Sequence, residues 1–432
     1  MTSQILNSLQ WLGLQWDGEP FFQSAQRHRH TALCRELVRS GSAYPCFCTP
    51  EVLAEKRKIN EKKGLFKYDR NCLALAPSEA ERRIADGQPY VIRFRVPDGQ
   101  IVFDDLIHGR TLVRNEEIDD FVILRSDGTP VYQIAVVSDD REMRITHVIR
   151  GDDHLSNTPK QILLYEALSW PVPRFAHVPL IWGEDRRRLS KRHGATSIEA
   201  YRRLGFLPDA LANYLALLGW SPGGDEELLP LRDLIQRFSL EQVSKKPAIF
   251  DSRKLEWLNG LYIRSKPVSE LAANVIPLLV EAGLVKEGDS IHSSDYVRRF
   301  VELMRDRVRT LNEFVSSGLY FFQDPAHYNP DAVEKHFMKS GVEERLSELI
   351  SRLSGLKNWK EGAIEKAVRN LAEESAVGAG KVIHPVRLAL TGVSASPGLF
   401  EMMTLLGRDT VIRRLNRALA FIQTARNADR IR

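Results

Sequence analysis

The sequence predicts an α/β domain of the doubly wound kind, interrupted by a small α+β insert and followed by an all-α region. Three observations predict it. Val131-Tyr132-Gln133-Ile134-Ala135-Val136-Val137 and Ile145-Thr146-His147-Val148-Ile149-Arg150 read as buried strands, and Thr158 to Leu168 reads as a helix leading to a third strand near Val178 to Ile181. Strand, helix, strand with continuous apolar strands implies a parallel sheet covered on both faces. Second, residues 90–125 break into short β-rich runs separated by Pro97-Asp98-Gly99 and His108-Gly109, the pattern of a mostly antiparallel insert. Third, beyond residue 195 the pattern is helical almost to the end, with Leu207 to Leu218 its clearest helix, ended by Gly219, Pro222, Gly223 and Gly224.

Ahead of the insert, Ile5, Leu6, Leu9 and Leu12, then Thr31 to Val38, read as two amphipathic helices separated by a Gly-Glu-Pro turn at 18–20. Cys34 falls on the apolar side of the second helix and is expected in the core. With 432 residues the chain exceeds one hydrophobic core. No run of 18 apolar residues occurs, and the first residues lack a basic segment leading an apolar one, so neither a membrane span nor a signal peptide is expected. A cytoplasmic location follows as the expectation.

Net charge is only +5, but its distribution is uneven. Arg186-Arg187-Arg188-Leu189-Ser190-Lys191-Arg192 packs five cations into seven residues, and the stretch from Arg408 to Arg432 carries seven arginines against Asp409 and Asp429. Two distant basic patches suit a long polyanion, although a solvated helix face explains the second equally well. Three of the four cysteines, Cys46, Cys48 and Cys72, cluster in sequence, which reads as metal before disulfide.

A cationic loop at the carboxyl end of a parallel sheet is where a triphosphate would sit, because ligands bind at strand C-termini and phosphoryl charge needs movable cations. Taken alone such a loop is more often solvated surface. Arg188-Leu189-Ser190-Lys191-Arg192, however, resembles the Lys-Met-Ser-Lys-Ser signature of class I aminoacyl-tRNA synthetases in its glutamyl form. Val148 to Ile162, Gly194 to Ser197, Leu217 to Pro222, Phe250-Asp251, Leu255 to Gly260 and His384 to Gly392 match further segments of the bacterial-type glutamyl enzymes.

The resemblance implies an ATP-dependent glutamate–tRNA ligase: L-glutamate is activated to glutamyl-AMP and transferred to the 3′ end of tRNA(Glu), with Mg2+ accompanying ATP. The fold it implies is the Rossmann-like class I catalytic domain. The regions are then 1–42, part of the first half of that domain; 43–128, an acceptor-stem-binding insert; 129–192, the second half with the ATP loop; 193–265, a helical stem-contact region; and 266–432, a helical anticodon-binding domain. A monomer is the family expectation.

Position by position, Lys191 would stabilise the transition state at the α-phosphate, assisted by Ser190 and Arg188. Arg188 stands where the family usually has Lys, which keeps the charge but not its point-like geometry. Ile181 matches the position whose main chain reads adenine. Tyr132 and Arg150 match the glutamate-holding positions, since a carboxylate in a closed pocket requires a cation and directional donors. Asp153 and His154 border the ATP and amino-acid sites. Without the resemblance, Tyr132 reads first as a strand core residue and Arg150 as a partner of Asp152 or Asp153. Cys46, Cys48 and Cys72 resemble a zinc knuckle, with Tyr68 as fourth ligand or His28 or His30 in its stead; a metal-free hairpin is the alternative. His384 to Arg387 and the Arg408 to Arg432 helix are the expected RNA-facing surface.

None of the eleven histidines forms the family's His-x-Gly-His element. The expectation is a reading frame extending upstream of Met1 by roughly 45 to 60 codons that encode a strand and that element. The alternatives are a truncated, non-catalytic tRNA-binding protein and, disfavoured by the helical block, a glutamyl-queuosine tRNA synthetase.

Overall fold

The computed structural model describes residues 2–62, 68–190, 197–286 and 294–431. Helix α1 (Thr2–Trp11) lies on the surface, and α2 (Arg27–Arg39) buries His30, Cys34 and Leu37, placing Cys34 in the core as expected. β1 (Ala43–Cys46), β2 (Val91–Phe94) and β5 (Val122–Leu124) form a three-stranded antiparallel sheet, with α3 (Pro50–Lys62) and α4 (Pro77–Ala85) between β1 and β2.

The second sheet runs in the order β4-β3-β7-β6, from β3 (Gln100–Asp105), β4 (Gly109–Arg114), β6 (His147–Gly151) and β7 (Arg174–Val178). β6 and β7 pair in parallel around α6 (Thr158–Ala167), as the apolar strand pattern required, but the third strand lies earlier than expected, ending at Val178, and Ile181 belongs to another sheet. The β3–β4 hairpin, expected within a separate insert, joins this sheet by a parallel bridge between Asp105 and Phe175. One sheet therefore crosses the expected boundary at residue 128. Its hairpin turn is shaped by Asp105, whose Oδ1 accepts the backbone N–H groups of Ile107 and His108 at 2.9 and 2.8 Å.

Residues 131–137 depart from expectation. The run is rich in β-branched residues, yet it forms α5 (Tyr132–Glu142), with Ile134, Val137 and Ser138 buried at helical spacing. Packing of this face beneath α2 and α6 overrides a strand propensity worth about 1 kcal/mol at most per residue. Tyr132 thus opens a helix and is not a strand residue.

Beyond the sheets lie α7 (Ile198–Arg203), α8 (Pro208–Leu217), α9 (Leu231–Arg237), α10 (Ser252–Ser265) and α11 (Val268–Glu281), while the short strands β8 (Ile181–Trp182) and β9 (Ala248–Ile249) pair in parallel. The last block holds α12 (Ser294–Met304), α13 (Leu311–Gly318), a short α14 (Pro330–Ala332) running into a π-turn over Val333–Phe337, α15 (Val342–Ser354), α16 (Glu361–Glu374), α17 (Gly380–Thr391), α18 (Leu399–Leu406) and α19 (Arg408–Ile431). One continuous apolar core joins Phe206 and Tyr214 to Met403 and Ile422, so the helices from α7 onward share their packing, except α9, whose Leu234 packs with Trp220 and Leu229 in a separate cluster.

Arg414, on α19, is buried, and its guanidinium donates to the carbonyls of Tyr320, Leu390 and Gln323 and to Asp324. Arg387 donates to the carbonyls of Ser396 and Pro397, and Arg408 to that of Leu356. Three arginines of the expected RNA-facing surface are therefore turned inward. The carbonyls exposed at helix ends need donors, and a long guanidinium supplies several at once.

Candidate active site and cysteine cluster

The carboxyl end of β6 carries Arg150, and the chain then turns sharply through Gly151. A Cβ there would lie 2.7 Å from Asp153 Oδ1. The following 3-10 turn, Asp152–Asn157, delivers Asp153 and His154 beside the strand end before α6 begins. Tyr132, at the first turn of α5, brings its ring to 5.7 Å from that of His154 and stands close enough to Arg150 to act on its charge. Gln133 donates to Asn157 Oδ1 at 2.8 Å, and Asn157 Nδ2 meets His154 Nδ1 at 3.1 Å, so the start of α5 and the 3-10 turn are tied together. Tyr132, Arg150 and His154, spread over 23 residues of sequence, are thus assembled in one place.

Arg150 does not pair with Asp152 or Asp153. Its Nε donates to His177 Nε2 at 3.2 Å, and its Nη2 donates to Thr158 Oγ1 at 2.7 Å. The guanidinium also lies over the Phe175 ring, 5.5 Å from its centroid. Burial lowers the Arg150 pKa, while Tyr132 and Asp140 favour its charge. Asp140 is itself pushed up to about 6, first by burial and then by its neighbour Asp139, against the pull of Arg150. A half-buried cation whose acidic neighbour resists ionisation keeps much of its charge available to an incoming carboxylate.

His177 and Asp105, which sequence reasoning missed, complete this arrangement. Both side chains are fully buried, with His177 Nδ1 2.6 Å from Asp105 Oδ2. The signal available in the sequence was one histidine in the middle of an apolar strand, Phe175-Ala176-His177-Val178. Burial holds the imidazole below its ordinary value despite the hydrogen bond it donates to Asp105, and Arg150 lowers it further.

Residues 181–190 form a tight loop in which Leu189 donates to the Ile181 carbonyl at 3.0 Å and Gly183 to that of Arg187 at 2.8 Å. Arg188 reaches across 35 residues of sequence to Asp153, 2.8 Å from its carboxylate. The structure therefore joins the cationic loop to the turn after β6. Ser190 closes the described part of the loop, and Lys191 lies outside the described residues.

Cys46, Cys48 and Cys72 bring their sulfurs within 4.8 Å of one another, with Cys48 and Cys72 at 3.6 Å. The Tyr68 hydroxyl stands 3.2 Å from Cys46 Sγ and 3.4 Å from Cys48 Sγ. Thiolate corners of a zinc tetrahedron are separated by about 3.8 Å, so the three sulfurs have the size and chemistry for such an ion, with the Tyr68 hydroxyl beside them where a fourth donor would stand. Hydrogen bonding from Cys72, against burial and aided by Tyr68 and Arg93, lowers the Cys46 pKa toward the thiolate. Arg93 is buried with its guanidinium 4.3 Å from the Tyr68 ring centroid. Of the alternative fourth ligands, His30 is engaged with Asp139 at 2.7 Å.

Residues 1–257 match the family model for class I tRNA synthetases (E and Q), catalytic domain, and residues 270–419 match an anticodon binding domain. The glutamate–tRNA ligase of Moorella thermoacetica is 45% identical over 97% of this chain and 88% of its own length. That of Geobacter sulfurreducens is 43% identical over 97% and 88%. A crystal structure of a glutamate tRNA ligase from Elizabethkingia meningosepticum, in complex with its amino acid, superposes with a TM-score of 0.87 at 30% identity, over 97% of this chain and 89% of that one. On these matches the chain belongs to the class I glutamate–tRNA ligase family.

Proposed function

We propose that this chain performs the family's ligation with Arg150 and Tyr132 holding L-glutamate and the loop from Ile181 to Lys191 holding ATP. A carboxylate oxygen of glutamate attacks the α-phosphorus, pyrophosphate leaves, and the terminal ribose hydroxyl of tRNA(Glu) then displaces AMP from the acyl carbon. The observation that carries this reading is the convergence of Tyr132, Arg150 and His154 at the end of β6 with Arg188 linked to the same turn through Asp153. Arg150 supplies the cation that a desolvated carboxylate needs, and His154 borders the pocket. Asp153 orients Arg188 on the loop, where Arg188, Ser190 and Lys191 offset charge developing on the phosphate, with Mg2+ arriving with the nucleotide. Ile181 supports adenine through its main chain.

Cys46, Cys48, Cys72 and Tyr68 hold a structural zinc ion that ties the end of β1 to the turn at residues 68–72. The helical block positions the anticodon arm. Its support is the cationic recess of Lys335, Lys339, Arg345 and Lys381 around the stacked rings of His336 and His384, 4.9 Å apart. Among the described residues no helix is long and apolar enough to cross a membrane.

The test is glutamate-, ATP- and tRNA-dependent charging, measured with the 432-residue chain and with any in-frame upstream extension of it. Glutamyl-tRNA formed by either supports the proposal. Binding of tRNA without charging by both leaves a tRNA-binding protein.

A further inference from the structure

We infer that Asp105 and His177 are positioning residues that hold Arg150 in its glutamate-binding orientation by fixing the imidazole in a single tautomer. The inference rests on the reading of Arg150 as the glutamate-holding cation. Its physical content is a donor–acceptor count inside a closed space. Asp105 Oδ1 is occupied by the N–H groups of Ile107 and His108, leaving Oδ2 to accept from His177 Nδ1 at 2.6 Å. With its proton on Nδ1, neutral His177 presents a lone pair at Nε2. Arg150 Nε donates to it at 3.2 Å, the Thr158 hydroxyl shares the same lone pair at 3.0 Å, and Thr158 Oγ1 in turn accepts from Arg150 Nη2 at 2.7 Å.

The other protonation states fail this count. A proton on Nε2 would face Arg150 Nε–H donor to donor, and an imidazolium would add a second cation beside the guanidinium. Burial, Arg150 on β6 and His108 in the hairpin turn disfavour an imidazolium and outweigh Asp105 on β3, which favours one, while Asp140 on α5 and Tyr165 on α6 act on Arg150. Because Thr158 and His177 are wholly buried, water cannot substitute for a lost acceptor.

Asp105→Asn tests the idea sharply. The two backbone donors keep the Asn carbonyl in the place of Oδ1, so its NH2 group faces His177 Nδ1 and drives the ring proton to Nε2. In selectively 15N-labelled histidine spectra at pH 8, with His177 assigned by its loss in His177→Gln, the protonated nitrogen should be Nδ1 in the parent chain and Nε2 in Asp105→Asn. Calorimetry on the whole chain should show glutamate affinity falling by about 10- to 100-fold in that variant, the effect of one buried unpaired donor beside a charge. Binding of ATP, assigned to the loop from Ile181 to Lys191, should stay within about twofold, a selectivity that general loss of structure would not give.

Thr158→Val, which removes the acceptor for Nη2 by an independent route, should weaken glutamate by about tenfold, and Thr158→Ser should restore it. This pair decides the matter if Asp105→Asn does not fold. An imidazolium or an Nε2–H ring in the parent chain overturns the inference, as does unchanged glutamate affinity in Asp105→Asn or Thr158→Val. Arg150→Lys separates the two levels: if it leaves glutamate affinity untouched, the assignment of Arg150 fails, whereas weakened affinity there with no effect of Asp105→Asn removes only the positioning role.

Discussion

The α/β portion and the helical portion bury different things. Among the described residues, ten of the fifteen buried polar or charged side chains lie between His30 and His177, and beyond them Arg414 alone carries a charge. In the α/β portion ionisable groups meet one another: His30 with Asp139, Tyr44 and Arg70 with Asp120, Asp105 with His177. The helical portion instead buries an apolar core and directs its arginines onto helix-end carbonyls. Burying charge costs free energy unless every donor and acceptor is matched, so the first region spends stability on holding groups in fixed directions. The second region is built for rigidity. The contrast teaches that substitutions near β6 should change ligand binding more than stability, and that the helical portion should show the reverse.

The largest effect expected is on the ligand side. Arg150→Ala removes the cation proposed to face the glutamate carboxylate, a loss of about 2 to 5 kcal/mol, or roughly 30- to 5,000-fold in glutamate-dependent charging. Thermal unfolding followed by circular dichroism should move little, and an equal collapse of both quantities breaks the contrast. Arg414→Met should do the opposite. It leaves Asp324 with Arg413 alone and uncaps the buried carbonyls of Tyr320 and Leu390 and that of Gln323, costing about 2 to 4 kcal/mol of stability, while glutamate affinity measured by calorimetry stays unchanged. Between these lies the cysteine cluster. Cys72→Ser should abolish zinc binding measured by atomic absorption and loosen the turn at residues 68–72, seen as faster hydrogen exchange there and not at α17. Retained stoichiometric zinc would remove Cys72 from the ligand set.

Local patterns in the sequence were readable because local chemistry decides them. The helix from Leu207 onward, the cationic loop at Arg186 to Arg192 and the spacing of Cys46, Cys48 and Cys72 announce themselves within a few residues. What stayed hidden depends on partners far along the chain. Residues 131–137 carry strand propensity, and only their burial against α2 and α6 makes them helical. Asp105 and His177 stand 72 residues apart, and no periodicity marks a hydrogen bond between strands that pair only after folding. Arg387, Arg408 and Arg414 illustrate the same limit. Composition and the family resemblance placed these cations on an RNA-facing surface, but a guanidinium turns inward when uncapped carbonyls lie within its reach, and that geometry exists only in the packed bundle.

The smallest expected effect distinguishes the two regions by the sign of their response to acid. Hydrogen bonds from Arg413 and then Arg414, opposed by burial, hold the Asp324 carboxyl down to about 2 from 3.8. A group depressed in the folded state contributes stability above its unfolded value and loses it as pH falls toward its folded one. The helical portion should therefore weaken between pH 3.8 and about 2, by about 1 kcal/mol once the partial exposure of the pair is allowed for. Asp140 works the other way. Burial raises it to about 6, so its ionisation favours the unfolded chain, and the stability it retains in acid is lost as pH rises from 3.8 through about 6. Hydrogen exchange read by mass spectrometry at several pH values should show α17 and α19 loosening toward acid, with that sensitivity removed in Asp324→Asn. The α5 segment should become less protected as pH rises from 3.8 toward 6, and Asp140→Asn should flatten its profile. If both regions weaken together on acidification and neither variant separates them, the paired carboxylate and the buried one do not differ in the way their surroundings dictate.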